Sequence, residues 1–598
     1  MQDDTTRIVA GETAEPQTVS PPSPATTAKG SGSVSVLAAA LMLVVAWALL
    51  TAWGLGDTPF HTKGEPREGL VVWEMTHGGG WILPKRNGTE LPSKPPLFHW
   101  LGAFVSVVHG TTDEWSIRFP SAVLSLAGIL AAFAAGASLR NATTGLFAGL
   151  ILMTSFEWAR AATNARVDMT LTVGLEASFL SLLFFWRSRS PGWLIPLYVG
   201  IAWAVLGKGP VGIALPGLTT ILLIALSWNG EAFRNHQYSA IVDWGSLRQM
   251  KLLRGAVIVV ALAGTWYVLA LFIGGWPFFR KQVLAENVFT FLNNRHFGGG
   301  HRHGLLYQPL QLLLGLLPWS LFLPGLATSL WQRRSELGRD DWRLYMLIWA
   351  AVVFAFFETA ASKRSVYLLS LYPAMALLLG WWWDEQRNAA EQRWLARIVA
   401  VIAWTAAGIV LAAAIIVALE CIGLSPLSLV QARLKPKAAI GLELGRNVIR
   451  SCGFGMALLL LLSSTGLVIS ARMAGQTRWG TLFTALCSTM ALTLLIARLL
   501  VMPAAARFLT LHNFMAEVRQ VVTPGDTLSF YKTFDYQAVY YSQRHIPAFE
   551  GTWKDGPAYL LVEADGWNAI TPESRVPYEH VPLADEGRLI LLRRGAAS

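Results

Sequence analysis

Thirteen long apolar runs, separated by short polar stretches, constrain this chain more than any other feature. They fall near residues 34–54, 116–138, 143–162, 168–186, 193–207, 210–228, 253–274, 309–331, 343–361, 365–383, 395–419, 447–471 and 478–500. About 20 predominantly apolar residues in a helix cross the hydrocarbon core of a bilayer. Backbone in that core must satisfy its own polar groups, which selects helices for runs of this kind. The expected fold class is an all-α polytopic membrane protein with about 13 transmembrane helices and a small C-terminal α/β domain outside the membrane.

Charge then orients the runs. The chain has 48 Lys and Arg against 37 Asp and Glu, a net +11. In a soluble protein that excess would suggest a nucleic-acid partner. Here many of the cations sit in alternate short loops, so the positive-inside rule accounts for them and no nucleic acid is implied. One set of loops holds Arg140, Arg187 and Arg189, Arg248, Lys251 and Arg254, Arg333 and Arg343, Arg387, Arg393 and Arg397, and Arg472 and Arg478. Placed in the cytoplasm, that set puts the N-terminus inside, the 57–115 loop outside, and the C-terminus outside after an odd number of spans. The 26 Trp are expected at membrane interfaces. Cys421, Cys452 and Cys487 form no metal or disulfide framework.

Residues 1–33, rich in Pro, Ser, Thr and Gly, read as a disordered cytoplasmic tail. The 34–54 run reads as an uncleaved anchor. Residues 34–500 form the transmembrane unit, with candidate catalytic loops at 55–115 and 275–308. Residues 501–598 change character: an amphipathic stretch from Phe508 to Val522, then β-prone Leu528–Tyr531, Ala558–Glu563 and Leu589–Leu592, with helical Tyr536–Tyr541 between the first two. No nucleophile elbow, P-loop or zinc spacing occurs there, so packing or covering the site is the role expected of it.

The polar 57–100 stretch, with four Glu, two Arg and three Lys, is the strongest candidate for chemistry. Glu65 lies in Gly64-Glu65-Pro66-Arg67-Glu68, on a constrained backbone. It can serve as a general base or as an acid in the first turn of a helix, where Pro66 also fits. Lys94, in Ser93-Lys94-Pro95-Pro96, can bind phosphate or snorkel at the interface. Lys208, in Gly207-Lys208-Gly209-Pro210, lacks the P-loop pattern. Asp168 can pair with Arg166 or meet a substrate, while the place of Glu157 and Arg160, at the outer edge or near mid-membrane, is left open. The 275–308 loop contributes Glu286, Arg295, His296, His301, Arg302 and His303. His301 and His303 are two apart, which does not place them together on a helix, so phosphate binding by Arg302 is preferred to zinc. Ser362-Lys363-Arg364-Ser365, followed by Tyr367, is a dibasic turn on the outer side that breaks the positive-inside pattern, a topological cost that usually marks function.

In order, Glu65-Pro66-Arg67, Lys94-Pro95, Arg118-Phe119-Pro120-Ser121-Ala122, Lys208-Gly209-Pro210, Gly315-Leu316-Leu317-Pro318-Trp319, and Lys363-Arg364-Ser365-Val366-Tyr367 with Tyr372-Pro373 resemble the motifs of the bacterial aminoarabinose lipid A transferases. These group with the protein O-mannosyltransferases among polyprenyl-phosphate-dependent, multi-spanning (type C) glycosyltransferases. The similarity covers residue 34 to about 385, and the later part more loosely. The resemblance implies transfer of a sugar from a polyprenyl-phosphate carrier to a membrane-embedded or periplasmic acceptor, on the outer side of the inner membrane. By the same resemblance Glu65 is the general base, and Arg67, Lys94, His301, Arg302, Lys363, Arg364 and Tyr367 hold the carrier phosphate. Glu68, Asp168, Lys208 and Glu286 bind substrate or support the site. Two positions depart from the family: Gly64 stands where relatives often have Asp, and Ser93 where aminoarabinose transferases have a Glu associated with zinc. No cofactor or metal is therefore expected. A transporter of lipid-linked sugars and a non-catalytic glycolipid-binding protein are the competing classes; a transporter would carry ionisable groups and broken helices at mid-membrane.

Overall fold

A computed structural model describes residues 35–226, 244–289, 303–337, 341–387, 392–431, 434–551, 556–568 and 577–595. The chain begins with α1 (Val36–Trp47), followed outside the apolar runs by α2 (Glu65–Thr76) and α3 (Leu97–His109). Next come α4 (Glu114–Leu139), α5 (Ala142–Thr154), α6 (Phe156–Ala162), α7 (Val167–Ser188), α8 (Leu194–Lys208) and α9 (Val211–Leu226). The long α10 (Leu252–Glu286) precedes a bent pair, α11 (Tyr307–Gly315) and α12 (Trp319–Gln332), which meet at 104°. Then follow α13 (Trp342–Thr359), α14 (Ser365–Gln386), α15 (Arg393–Cys421), α16 (Pro436–Cys452), α17 (Phe454–Gly475) and α18 (Trp479–Leu509).

Among the described residues eight helices are long and apolar enough to cross a membrane, or nine with the bent pair taken as one span. The protein is a multi-span membrane protein. The expected count of thirteen exceeds nine by four, and those four runs do form helices: Val36–Ala52, α5, α8 and α9. As described they run from 13 to 17 residues, and α8, with 15 residues, rises about 22 Å at 1.5 Å per residue. The expected 275–308 loop is also revised at its start, because α10 carries helical structure through Glu286.

Local rules explain the close packing of the central spans. Asp113 caps α4 by accepting from the Ser116 N–H, and Ser116 returns the bond to the Asp113 N–H, a capping box. At the other end of α4, a Cβ on Gly136 would lie 2.7 Å from the Gly145 Cα. Glycines there let two backbones touch, the usual device for tight helix contact in a bilayer. Trp158, Trp319, Trp349, Trp381, Trp382 and Trp383 are all fully buried. The expectation that tryptophans mark the interface thus fails for these six, which build the core instead.

The positively charged loops gather at one end. Arg140 pairs with Asp384 and with Glu385 at 3.1 Å each, and Arg333 pairs with Glu385 at 2.6 Å. At the opposite end the C-terminal domain forms. Helices α19 (His512–Val521) and α20 (Tyr536–Ser542) pack with strands β1 (Leu528–Tyr531), β2 (Ala548–Phe549), β3 (Tyr559–Glu563), β4 (Tyr578–Val581) and β5 (Leu589–Arg594). The sheet order is β2-β1-β3-β5-β4, parallel across β2-β1-β3 and antiparallel across β3-β5-β4. Two of these strands, β2 and β4, had no recognisable sequence signal: β2 is two residues long and β4 reads Tyr-Glu-His-Val.

This domain does not stand apart from the 57–115 segment. Phe60, Leu70, Val71, Met75, Phe98 and Ile117 share one buried core with residues of α19, α20 and β1. Polar contacts hold the same surface: the Tyr541 hydroxyl donates to Glu114 at 2.6 Å and accepts the Phe60 N–H at 2.7 Å, while Asn87 and Ile546 exchange two bonds. The segment and the C-terminal domain therefore lie on the same side of the membrane. We expect a single cysteine at Lys532, in a background without native cysteines, to react with a membrane-impermeant maleimide in intact spheroplasts. One at Arg189 or Arg334 should react only after permeabilisation. Labelling of all three from one side would break the proposed orientation.

Candidate functional site

The site grows from the start of α2. Gly64 precedes the helix, Pro66 occupies its second position without requiring an N–H, and Glu65 and Glu68 fall in the first turn, where acids complement the dipole. Glu65 is 1% exposed. Its Oε1 accepts from Arg118 Nε at 2.8 Å and from the Ala165 N–H at 3.1 Å, and its Oε2 accepts from Arg118 Nη2 at 3.3 Å. The remaining Arg118 nitrogen, Nη1, donates to the Leu55 and Thr58 carbonyls. Burial pushes the Glu65 carboxyl up, but the Arg118 charge and the bonds from Arg118 and Ala165 outweigh it and hold the group below its ordinary range. In this structure the Glu65 carboxylate stands in the first turn of α2, enclosed by protein and paired with Arg118.

Glu68 is similarly enclosed. It pairs with Arg67 at 2.6 Å and with His99 at 2.9 Å, and despite burial these partners hold it well below the usual carboxylate range. Lys94 pairs with Glu286 at 3.1 Å, tying the end of the loop to α10. Asp168 accepts from Lys208 at 2.5 Å and from Arg166 Nε at 3.0 Å. Lys208, the last residue of α8, lies 4.4 Å from the Tyr367 ring centroid, a cation–π contact. Lys363 pairs with Glu358 at 2.6 Å, and Arg160 with Glu157 at 2.6 Å.

Arg160, Arg166 and Lys363 of these pairs line a cavity of about 280 Å³, together with His303, Tyr307 and Arg364. Among the described residues no acidic one lines it. The carboxylates that neutralise its cations stand behind them, so the cavity itself presents a positive surface suited to an anion. Arg364 Nε is buried without a hydrogen-bond partner.

The structure thus brings Asp168, Lys208, Tyr367, Lys363 and Arg364 to one place. Arg67, Glu68, Lys94 and Glu286 form an adjoining charged rim, with Glu286 acting on Arg67. His301 and Arg302 lie outside the described residues. Among the described residues no three His, Cys, Asp or Glu side chains converge as metal ligands. Arg118 was present in a motif but had been given no role, Arg166 had been named only as a partner of Asp168, a pairing the structure contains, and Arg160 and Glu157 had been left without a role. The signal for Arg118 was its position: an arginine one turn into an apolar run needs a buried partner.

Comparison with known proteins now bears on the fold. The family model for dolichyl-phosphate-mannose-protein mannosyltransferase matches residues 93–242. The crystal structure of ArnT from Cupriavidus metallidurans bound to undecaprenyl phosphate superposes with a TM-score of 0.70, covering 93% of this chain and 97% of that one, at 20% identity. The chain has the ArnT fold. An undecaprenyl phosphate-alpha-4-amino-4-deoxy-L-arabinose arabinosyl transferase from Enterobacter sp. (strain 638) is 25% identical over 348 residues, 57% of this chain and 58% of the relative. Another of the same name, from Pseudomonas savastanoi pv. phaseolicola, is 26% identical over 367 residues, 59% of this chain and 63% of the relative. The match therefore spans less than two thirds of these relatives' length. The resemblance to polyprenyl-phosphate-dependent type C glycosyltransferases, drawn first from motifs, holds in family model, relatives and fold.

The Glu65–Arg118 geometry gives a sharp test. Removing one partner of a buried ion pair costs about 3–5 kcal/mol, because the other charge is left uncompensated. Glu65→Gln should therefore lower the apparent melting temperature in detergent, and the Glu65→Met/Arg118→Met double variant should lose less than the sum of its single changes. Because the folded-state pKa of Glu65 is depressed, the pair contributes fully above about pH 4.5 and is lost as pH falls below that through the folded value. A general base would instead give wild-type melting with a rate loss of about 10²–10⁴.

Proposed function

We propose that this chain is a membrane glycosyltransferase that moves a sugar from a polyprenyl-phosphate carrier to an acceptor at the outer face of the cytoplasmic membrane. The observation that carries this reading is the cation-walled cavity at the end of the spans that bears the C-terminal domain, set in the ArnT fold. The relatives' name and the ligand of the ArnT structure, undecaprenyl phosphate, support the carrier class. In the proposed reaction the bond between the anomeric carbon and the carrier phosphate oxygen breaks, a bond to an acceptor hydroxyl oxygen forms, and the hydroxyl proton is lost to solvent. The phosphate departs with an additional negative charge.

That charge is what the cavity suits. Lys363, Arg160 and Arg166 are held by Glu358, Glu157 and Asp168 before substrate arrives, so little reorganisation is needed as charge develops. The carboxylates of Glu65, Glu68, Asp168, Glu157, Glu286 and Glu358 are each engaged by a cation. Leaving-group stabilisation is thus the contribution we assign to the protein, and Glu65 becomes a positioning residue, setting α2 against α4 and the Ala165–Asp168 turn. The apolar tail of the carrier would lie between spans. The C-terminal domain, on the same side, would cover the segment that bears the site.

The test is transfer of radiolabelled sugar from membrane carrier lipid by purified full-length protein. Arg364→Ala should lower the rate about 10²–10³-fold, the range for losing one preorganised donor to a developing oxyanion. Wild-type protein that moves the intact lipid-linked sugar across a bilayer without cleaving it would replace this reading with transport.

A further inference from the structure

The backbone of Gly64 is ordinary right-handed helix, with φ −86° and ψ −43°, which any residue can adopt. Its lack of a side chain is therefore a matter of room, not of conformation. The atoms that a Cβ there would strike belong to a single group, the Arg166 guanidinium, with Nη1 in collision and Cζ at 3.6 Å. Arg166 comes from the turn before α7 and spends only its Nε on Asp168. Its two Nη groups have no hydrogen-bond partner among the described residues, and its side chain, 23% exposed, lines the cation-walled cavity.

A cation is poorly placed at a helix N-terminus, where the dipole is positive. Arg166 nevertheless lies there, beside Gly64, and across the cavity from it stands Arg364, whose buried Nε also lacks a partner. The Arg364 backbone is fixed by Gln308, which donates to its carbonyl at 3.4 Å. Two guanidinium groups, each with donors unspent, thus line one small cavity with no acid in its wall among the described residues. Guanidinium forks match tetrahedral oxyanions by paired N–H donors.

We infer that Arg166 and Arg364 form a two-arginine clamp for a phosphomonoester dianion, and that Gly64 is the residue whose missing side chain admits Arg166 to it. This rests on the proposed transferase reading and adds to it residues that hold phosphate. The phosphate has two sources, the polyprenyl carrier and a phosphorylated lipid acceptor, and binding can tell them apart.

The experiment measures binding, without turnover, of geranylgeranyl phosphate and separately of phosphatidic acid to purified full-length protein in detergent. Arg166→Leu should weaken at least one probe by about 10–100-fold, the loss expected for charged hydrogen bonds. Loss confined to geranylgeranyl phosphate assigns the clamp to the carrier, and loss confined to phosphatidic acid assigns it to an acceptor. Wild-type affinity should rise as pH passes about 6, where the second phosphate proton leaves, and Arg166→Leu should flatten that rise. A merely structural arginine would not alter the pH profile. Gly64→Ala, which leaves the Arg166–Asp168 pair its partners but fills the room, should reproduce the weakening with little change in melting temperature. Wild-type protein that binds neither probe, or Arg166→Leu protein within about twofold of wild type for both, overturns the clamp. Wild-type affinity in Gly64→Ala overturns the role given to Gly64. Protein that binds through Arg166 but transfers no sugar would sink the transferase reading and leave the clamp standing.

Discussion

One buried ion pair sets the positions on which the site depends. Glu65 and Arg118 are 1% and 4% exposed as side chains, and together they join three elements: the start of α2, the first turns of α4 and the Ala165 N–H. Three residues past Ala165 is Asp168, which in turn holds Arg166 and Lys208. Desolvating two charges costs several kcal/mol per ion in real proteins, so such a pair persists only with excellent geometry and full hydrogen bonding. Glu65 and Arg118 have both. The pair is better understood as fixing a register among helices than as adding stability.

The C-terminal domain closes the same assembly from above. Its helices share a core with Phe60, Leu70 and Phe98, so a polar segment between spans acquires the buried apolar surface of a folded unit. Around it, Tyr536 donates to Glu90 at 2.9 Å and His545 meets Glu74 at 2.8 Å. Together these contacts make the covering role expected of residues 501–598 a matter of shared packing rather than of separate chemistry.

Much of the fold was legible because lipid imposes a simple rule. All thirteen apolar runs are represented by helices, and what length alone could not decide was whether α5, α8 and α9 complete a crossing. The chemistry-bearing residues were legible as types: Lys363 and Arg364 stood out because they violate the charge pattern of the loops. Their pairing was not legible. Glu65 and Arg118 are 53 residues apart, Lys208 and Asp168 are 40 apart, and nothing local specifies either contact. Glu65 stood out because its backbone was constrained and its neighbours polar, and only the tertiary structure shows that Arg118 engages both of its oxygens. Gly64 carried its meaning in the opposite way, as an absence that made sense only once Arg166 was seen beside it.

The central claim is that the carrier phosphate belongs in the cavity walled by Lys363 and Arg364. A structure of the full-length protein with a polyprenyl phosphate bound tests it most directly. The account predicts the phosphate within hydrogen-bond distance of Lys363 or Arg364, with the Glu65–Arg118 pair intact. A phosphate held against Lys94 and α10, with that cavity unengaged, would contradict it.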